Sequence, residues 1–151
     1  MEVFNDEILA KEPAYFTSIN PMDICSARSI AQSDCYTYLP VYLYQTLKIP
    51  FSDMFSVCDN APQQHTDSCK LGIGAEAMKR GMHEPNVTFF MCSETSSLRD
   101  QTLCATGAIS MYINQKGSLE AGSRLCESVP ETYTVLCQKV VKLRAAEFET
   151  N

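Results

Sequence analysis

Apolar residues recur along this chain at helical spacing, in short stretches punctuated by proline, glycine and serine. From Glu2 to Lys11 an amphipathic stretch sets Val3, Phe4, Ile8 and Leu9 on one side, and Pro13 closes it. A second stretch starts near Ser29 and runs through Cys35, Tyr36, Leu39, Leu43 and Leu47 to Lys48, where Ile49-Pro50 stops it. Pro40 falls inside it and predicts a bend or a fresh start, because a proline within a helix removes one hydrogen bond and costs about 3 kcal/mol. Ser52 reads as the N-cap of a short helix carrying Met54, Phe55, Val57 and Cys58. Pro62 reads as the first position of the next helix, and Gly81 as its C-terminal cap. Pro85-Asn86 opens a stretch with Val87, Phe89, Phe90 and Met91. Ser96 or Ser97 caps another, which passes Cys104, Ile109, Met111 and Ile113 and ends at Gly117. Ser118 caps the next helix, and Pro130 starts the last, whose apolar face reads as Val135, Leu136, Val140, Val141 and Leu143. The polar end, Ala145 to Asn151, reads as an exposed cap.

The eight cysteines turn this series into a repeat. The first of each pair stands at Cys25, Cys58, Cys92 and Cys126, in steps of 33, 34 and 34 residues. The second stands at Cys35, Cys69, Cys104 and Cys137, in steps of 34, 35 and 33. A fixed period of this length marks a helical repeat array. Between the two cysteines lie nine, ten, eleven and ten residues. On one straight helix these spacers would turn the second sulfur about 280°, 20°, 120° and 20° from the first, so no common face exists. Four residues after the first cysteine stand Ser29, Pro62, Ser96 and Pro130, all of which favour helix starts. The spacing therefore predicts an all-α chain of four helix-turn-helix repeats of about 34 residues, a short α-solenoid with each pair spanning a hairpin. The repeats cover about 21–50, 51–84, 85–117 and 118–148, in a single domain over 21–151, and residues 1–20 form a capping segment over the exposed first face.

Composition narrows the function classes. Hydrophobic content of 45% and a charged fraction of 20% suit a folded domain. The net charge of −6, with no cluster of Lys and Arg, argues against nucleic acid. No apolar run approaches the roughly 20 residues of a membrane span. The acidic start, Met1-Glu2-Val3-Phe4-Asn5-Asp6-Glu7, is unlike a secretory signal. A chain whose disulfides persist belongs in an oxidising compartment. It would be secreted or periplasmic with the signal removed, or would reach the mitochondrial intermembrane space through a disulfide relay; otherwise its thiols are reduced.

Joined within hairpins, Cys25–Cys35, Cys58–Cys69, Cys92–Cys104 and Cys126–Cys137 would each close a loop of about a dozen residues and contribute about 3 kcal/mol. A nested pattern, Cys25–Cys69 with Cys35–Cys58 and Cys92–Cys137 with Cys104–Cys126, stays open, as does a set of reduced, buried thiols. Zinc knuckles, a C-x-x-C redox pair and a C-x-x-C-H haem site are absent from the sequence.

The repeat length, the paired helices, the cysteine pairs, and Gly72-Ile73-Gly74 and Gly107-Ala108 after the second cysteine resemble the cysteine-rich branch of tetratricopeptide-like (SEL-like) repeat proteins, over about residues 21–148. The resemblance implies a right-handed solenoid whose concave face binds other proteins or peptides, in a family with several secreted members. The C-x9-C pair at Cys25 and Cys35 also resembles the twin C-x9-C proteins of the mitochondrial intermembrane space. That resemblance implies an accessory or assembly subunit of a respiratory complex.

Other candidate sites are thinner. His65 stands four residues before Cys69, and His83 sits near Met78 and Met82, a set from which a soft-metal or haem site can be imagined. Gly72 and Gly74 read as close helix packing, since no phosphate-loop lysine follows them. Asn86-Val87-Thr88 is a glycosylation acceptor only on a eukaryotic secretory route, and otherwise a helix start. Tyr36, Tyr38, Tyr42 and Tyr44 crowd one helix and are a candidate interface or the packing surface for the N-terminal segment. No catalytic residue, cofactor site or metal site is predicted. The expected role is a non-catalytic interaction or scaffold subunit whose partners are other proteins, contacted through the aromatic first repeat or a groove lined by the first helices. The alternatives are the intermembrane-space subunit and a small-molecule, metal, haem or hydrolytic site.

Overall fold

The computed structural model describes residues 20–26, 31–81 and 84–149, and eight helices with no strand run through them. They alternate short and long: α1 (Asp23–Ser26), α2 (Gln32–Gln45), α3 (Phe51–Cys58), α4 (Gln63–Arg80), α5 (Pro85–Cys92), α6 (Leu98–Lys116), α7 (Leu119–Ser128) and α8 (Glu131–Glu149). Each short helix and the long one after it form a hairpin, and the four hairpins stack in chain order as a short α-solenoid. The capping segment expected over residues 1–20 lies, apart from Asn20, outside the described residues. So do Ser29, Met82 and His83.

The long helices form the continuous layer. The heaviest packing between neighbouring repeats joins α2 to α4 and α4 to α6, with the short helices along the flank. Glycines set how closely α4 sits between its neighbours. A Cβ on Gly72 would lie 2.0 Å from the Thr37 carbonyl oxygen of α2, and one on Gly74 would lie 1.7 Å from the Cys104 carbonyl oxygen of α6. A Cβ on Gly107 of α6 would lie 1.9 Å from the Leu71 carbonyl oxygen of α4. Only a hydrogen fits in these places, so the two backbones of each pair pack in direct contact. Around them lie two core clusters, one centred on Tyr36, Leu43, Met54 and Ile73, the other on Met78, Phe89, Ile109 and Ile113.

Helix ends follow the expected chemistry with four differences. Ser97 accepts from the Asp100 backbone N–H and Ser118 from that of Ala121, so each serine caps its helix, and Gly117 closes α6 at φ 61°. Ser52, expected as a cap, lies inside the first turn of α3, and Pro50 holds the cap position with no side-chain bond. Pro62 precedes α4 instead of opening it, leaving Gln63 as the first helical residue, whereas Pro85 does open α5. Gly81 caps α4 as expected, its N–H donating to the Ala77 carbonyl, but at φ −101°, so it is not there for a left-handed turn. A Cβ on it would lie 2.3 Å from Thr88 Oγ1, and the close approach of α5 is what requires glycine. Helix α2 runs unbroken through the buried Pro40 and stops at Gln45, short of Lys48, which takes φ 57°.

Candidate interaction surface

The sulfurs pair within hairpins: Cys25–Cys35, Cys58–Cys69, Cys92–Cys104 and Cys126–Cys137, at sequence separations of 10, 11, 12 and 11. All eight cysteines are bonded and buried, so the nested pattern and the reduced state are both set aside. Four such bonds fit an oxidising compartment.

The same pairing removes Cys69 as a ligand beside His65. The His65 ring instead stacks on Tyr36, centroids 4.9 Å apart, with Nε2 3.3 Å from Gln32 Oε1. Among the described residues no group of three or more His, Cys, Asp or Glu could hold a metal ion. None of the described helices is long and apolar enough to cross a membrane.

The tyrosines of α2 divide between core and surface. Tyr36 and Tyr42 are buried, and burial raises both phenol pKa values, with the charge of Asp23 adding to the effect at Tyr36. Tyr38 and Tyr44 are half-buried. Tyr44 tilts against Phe51 at 5.1 Å and carries the Arg80 guanidinium 4.8 Å above its ring. The aromatic surface of the first repeat thus consists of two half-buried rings.

Three charged groups, Lys70, Glu76 and Asp100, are buried where the long helices meet. Lys70 Nζ lies 2.6 Å from Asp59 Oδ1 and 2.8 Å from Asp100 Oδ1, tying the second repeat to the third. Glu76 is buried in α4, and its Oε1 accepts from Arg80 Nε and Nη2 at 2.9 and 2.7 Å. Glu76 also borders a hollow of about 240 Å³ between α2, α4 and α6.

A larger hollow, with more apolar walls, lies elsewhere. A groove of about 770 Å³ runs between the third and fourth repeats, walled by Phe89 and Phe90 of α5, Leu98 of α6, and Tyr133, Val135 and Leu136 of α8. Phe90 is 66% exposed, Leu98 76% and Val135 78%. Val135 and Leu143, read from sequence as part of the inward face of the last helix, therefore face out, and Leu143 is 58% exposed. The inward face of α8 is Tyr133, Cys137 and Val140, with Leu136 and Val141 partly covered. Asn86 of the glycosylation sequence is exposed at the groove rim, while Thr88 is fully buried. Sequence reading placed no site here, because Phe90 and Val135 look like ordinary members of amphipathic helices until each repeat is laid over the others.

Comparison with protein-family models, with curated proteins and with solved structures finds no match.

Proposed function

We propose that this chain is a non-catalytic interaction subunit, a rigid array of stapled helical hairpins that holds another protein in an oxidising compartment. The observation that carries the reading is the groove between the third and fourth repeats, where three large apolar side chains stand more than 60% exposed on a disulfide-braced framework. Contiguous apolar ground of this kind is costly to leave in water and marks a docking surface. The cysteine-bridged hairpins favour the SEL-like resemblance over the twin C-x9-C one, whose bonds would be nested. A secreted or periplasmic setting is accordingly preferred to the intermembrane space. Affinity purification of the tagged, oxidised chain from its native compartment should recover a partner at fixed stoichiometry that survives gel filtration. A chain that elutes alone, or that turns over a substrate, contradicts the proposal.

A further inference from the structure

We propose that the groove between the third and fourth repeats receives an amphipathic helix of the partner protein, apolar along one face and carrying a carboxylate that meets Lys139; this rests on the interaction reading above. The repeat supplies its own comparison. Two residues before the first cysteine stand Asp23, Ser56, Phe90 and Arg124. Six residues before the second stand Ser29, Gln63, Leu98 and Glu131, and two before it stand Ser33, Asp67, Thr102 and Val135. Each row is polar in three repeats and apolar in one. The three apolar members come from three different helices, α5, α6 and α8, and all three line the one groove.

The neighbouring interfaces close the equivalent ground with polar contacts. Between the first and second repeats Ser33 and Ser68 hydroxyls lie 2.9 Å apart. Between the second and third, Arg99 Nη2 donates to both Asp67 oxygens at 2.8 and 2.9 Å. The counterparts of Asp67 and Arg99 at the next interface are Thr102 and Thr132, so no ion pair spans the gap and the groove stays open.

Its shape and charge select the occupant. A cleft of about 770 Å³ between helices holds two or three large side chains, the number one face of a helix presents at i, i+4 and i+7. Lys139 is the one charged residue in the lining, and it is exposed with no salt bridge among the described residues. On a chain of net charge −6 it is a local cation that would orient an acidic group.

The test restores the pattern of the other repeats. The variant Phe90→Ser, Leu98→Gln, Val135→Thr takes its residues from equivalent positions, and all three side chains are exposed, so its helix content and melting should match the wild type. The probes are three labelled 16-residue helical peptides: one with leucines at i, i+4 and i+7 flanked by glutamates, one with lysines replacing those glutamates, and a scrambled control. The glutamate peptide should bind the wild-type chain at least tenfold more tightly than it binds the triple variant, and tenfold more tightly than the control binds the wild type. Lys139→Glu should reverse the preference towards the lysine peptide. Failure of the glutamate peptide to bind, equal binding to the triple variant, or no reversal overturns the proposal. Groove-dependent self-association, or groove-dependent binding to lipid vesicles in place of the peptide, overturns it too. If the peptides fail while the triple variant still co-purifies with the native partner, the groove assignment falls and the interaction role stands. If no partner is recovered either, both fall.

Discussion

Lys70 holds its charge at only 6% exposure, between a carboxylate that is nearly as buried, Asp100, and one that is not, Asp59. Burial alone would lower its pKa, yet the hydrogen bonds it donates to Asp100 and Asp59, together with the attraction of their charges, outweigh it and the pKa is raised. Removing one partner of a buried pair strands the other, which typically costs 3–5 kcal/mol, whereas an exposed partner contributes less than about 1 kcal/mol. Lys70→Ala should therefore cost about 3 kcal/mol in urea unfolding, and Asp59→Asn less than about 1. Equal losses would mean that Asp100 is not the partner that matters. The pH dependence has one sign for all the shifted groups. Lys70, Tyr36, Tyr42 and Tyr133 all have raised pKa values, so the unfolded chain releases these protons before the folded one does. Their contribution is complete below the ordinary values of 10.0 for tyrosine and 10.5 for lysine, and drains away as pH rises past them. Denaturant midpoints measured at increasing pH should hold steady up to about pH 9.5 and then fall; a flat profile beyond that contradicts the assignment.

At the scale of helices, the glycines separate two reasons for the same residue. Gly74 occupies a point where a Cβ would lie 1.7 Å from a neighbouring backbone oxygen, so Gly74→Ala must push α4 and α6 apart. Overpacking of this kind costs about 1–3 kcal/mol and sometimes more. Gly117 has open space around it but a φ of 61°, so Gly117→Ala meets only backbone strain, about 1 kcal/mol. Thermal melts should rank Gly74→Ala well below Gly117→Ala, and the reverse order would refute the contact between α4 and α6. Much of this layer was legible from sequence. Proline and serine marked the turns, and the unequal cysteine spacers required a chain reversal inside each pair. Exposure on α8 was not legible, because apolar periodicity assumes a neighbour along the whole face, and Val135 borders an open groove instead. The Lys70–Asp100 pair joins residues thirty positions apart, which helical spacing cannot connect. Tyr36 and Tyr42 read as a candidate interface or as a packing surface for the N-terminal segment; both rings lie in the core, buried on α2 along with Cys35, Leu39 and Leu43.

Across the whole molecule, stability is shared between loop closure in each hairpin and packing between hairpins. Each disulfide closes a loop of about a dozen residues and contributes about 3 kcal/mol by restricting the unfolded chain, so the four together approach the entire stability of an ordinary domain of about 5–15 kcal/mol. Complete reduction should therefore unfold the chain at room temperature, seen as loss of its helical circular dichroism; a reduced chain with native helix content would contradict this. Single pairs are more informative, because Cys58–Cys69 and Cys126–Cys137 have the same separation of 11 residues and so the same loop entropy. Their positions differ. The second hairpin packs against a neighbour on each side, through α2 and through α6, while the fourth has a described neighbour only in the third repeat, where α8 meets α6 and, through Tyr133 on Phe89, α5. In a linear array, losing an inner unit breaks two interfaces and losing an outer unit breaks one. Replacing Cys126 and Cys137 by alanine should expose the amides of α7 and α8 to hydrogen exchange and leave α2 to α6 protected. Replacing Cys58 and Cys69 should lower protection on both sides of α4 and cost more in denaturant. Identical exchange patterns would mean that the four repeats fold as one indivisible core and not as stacked units.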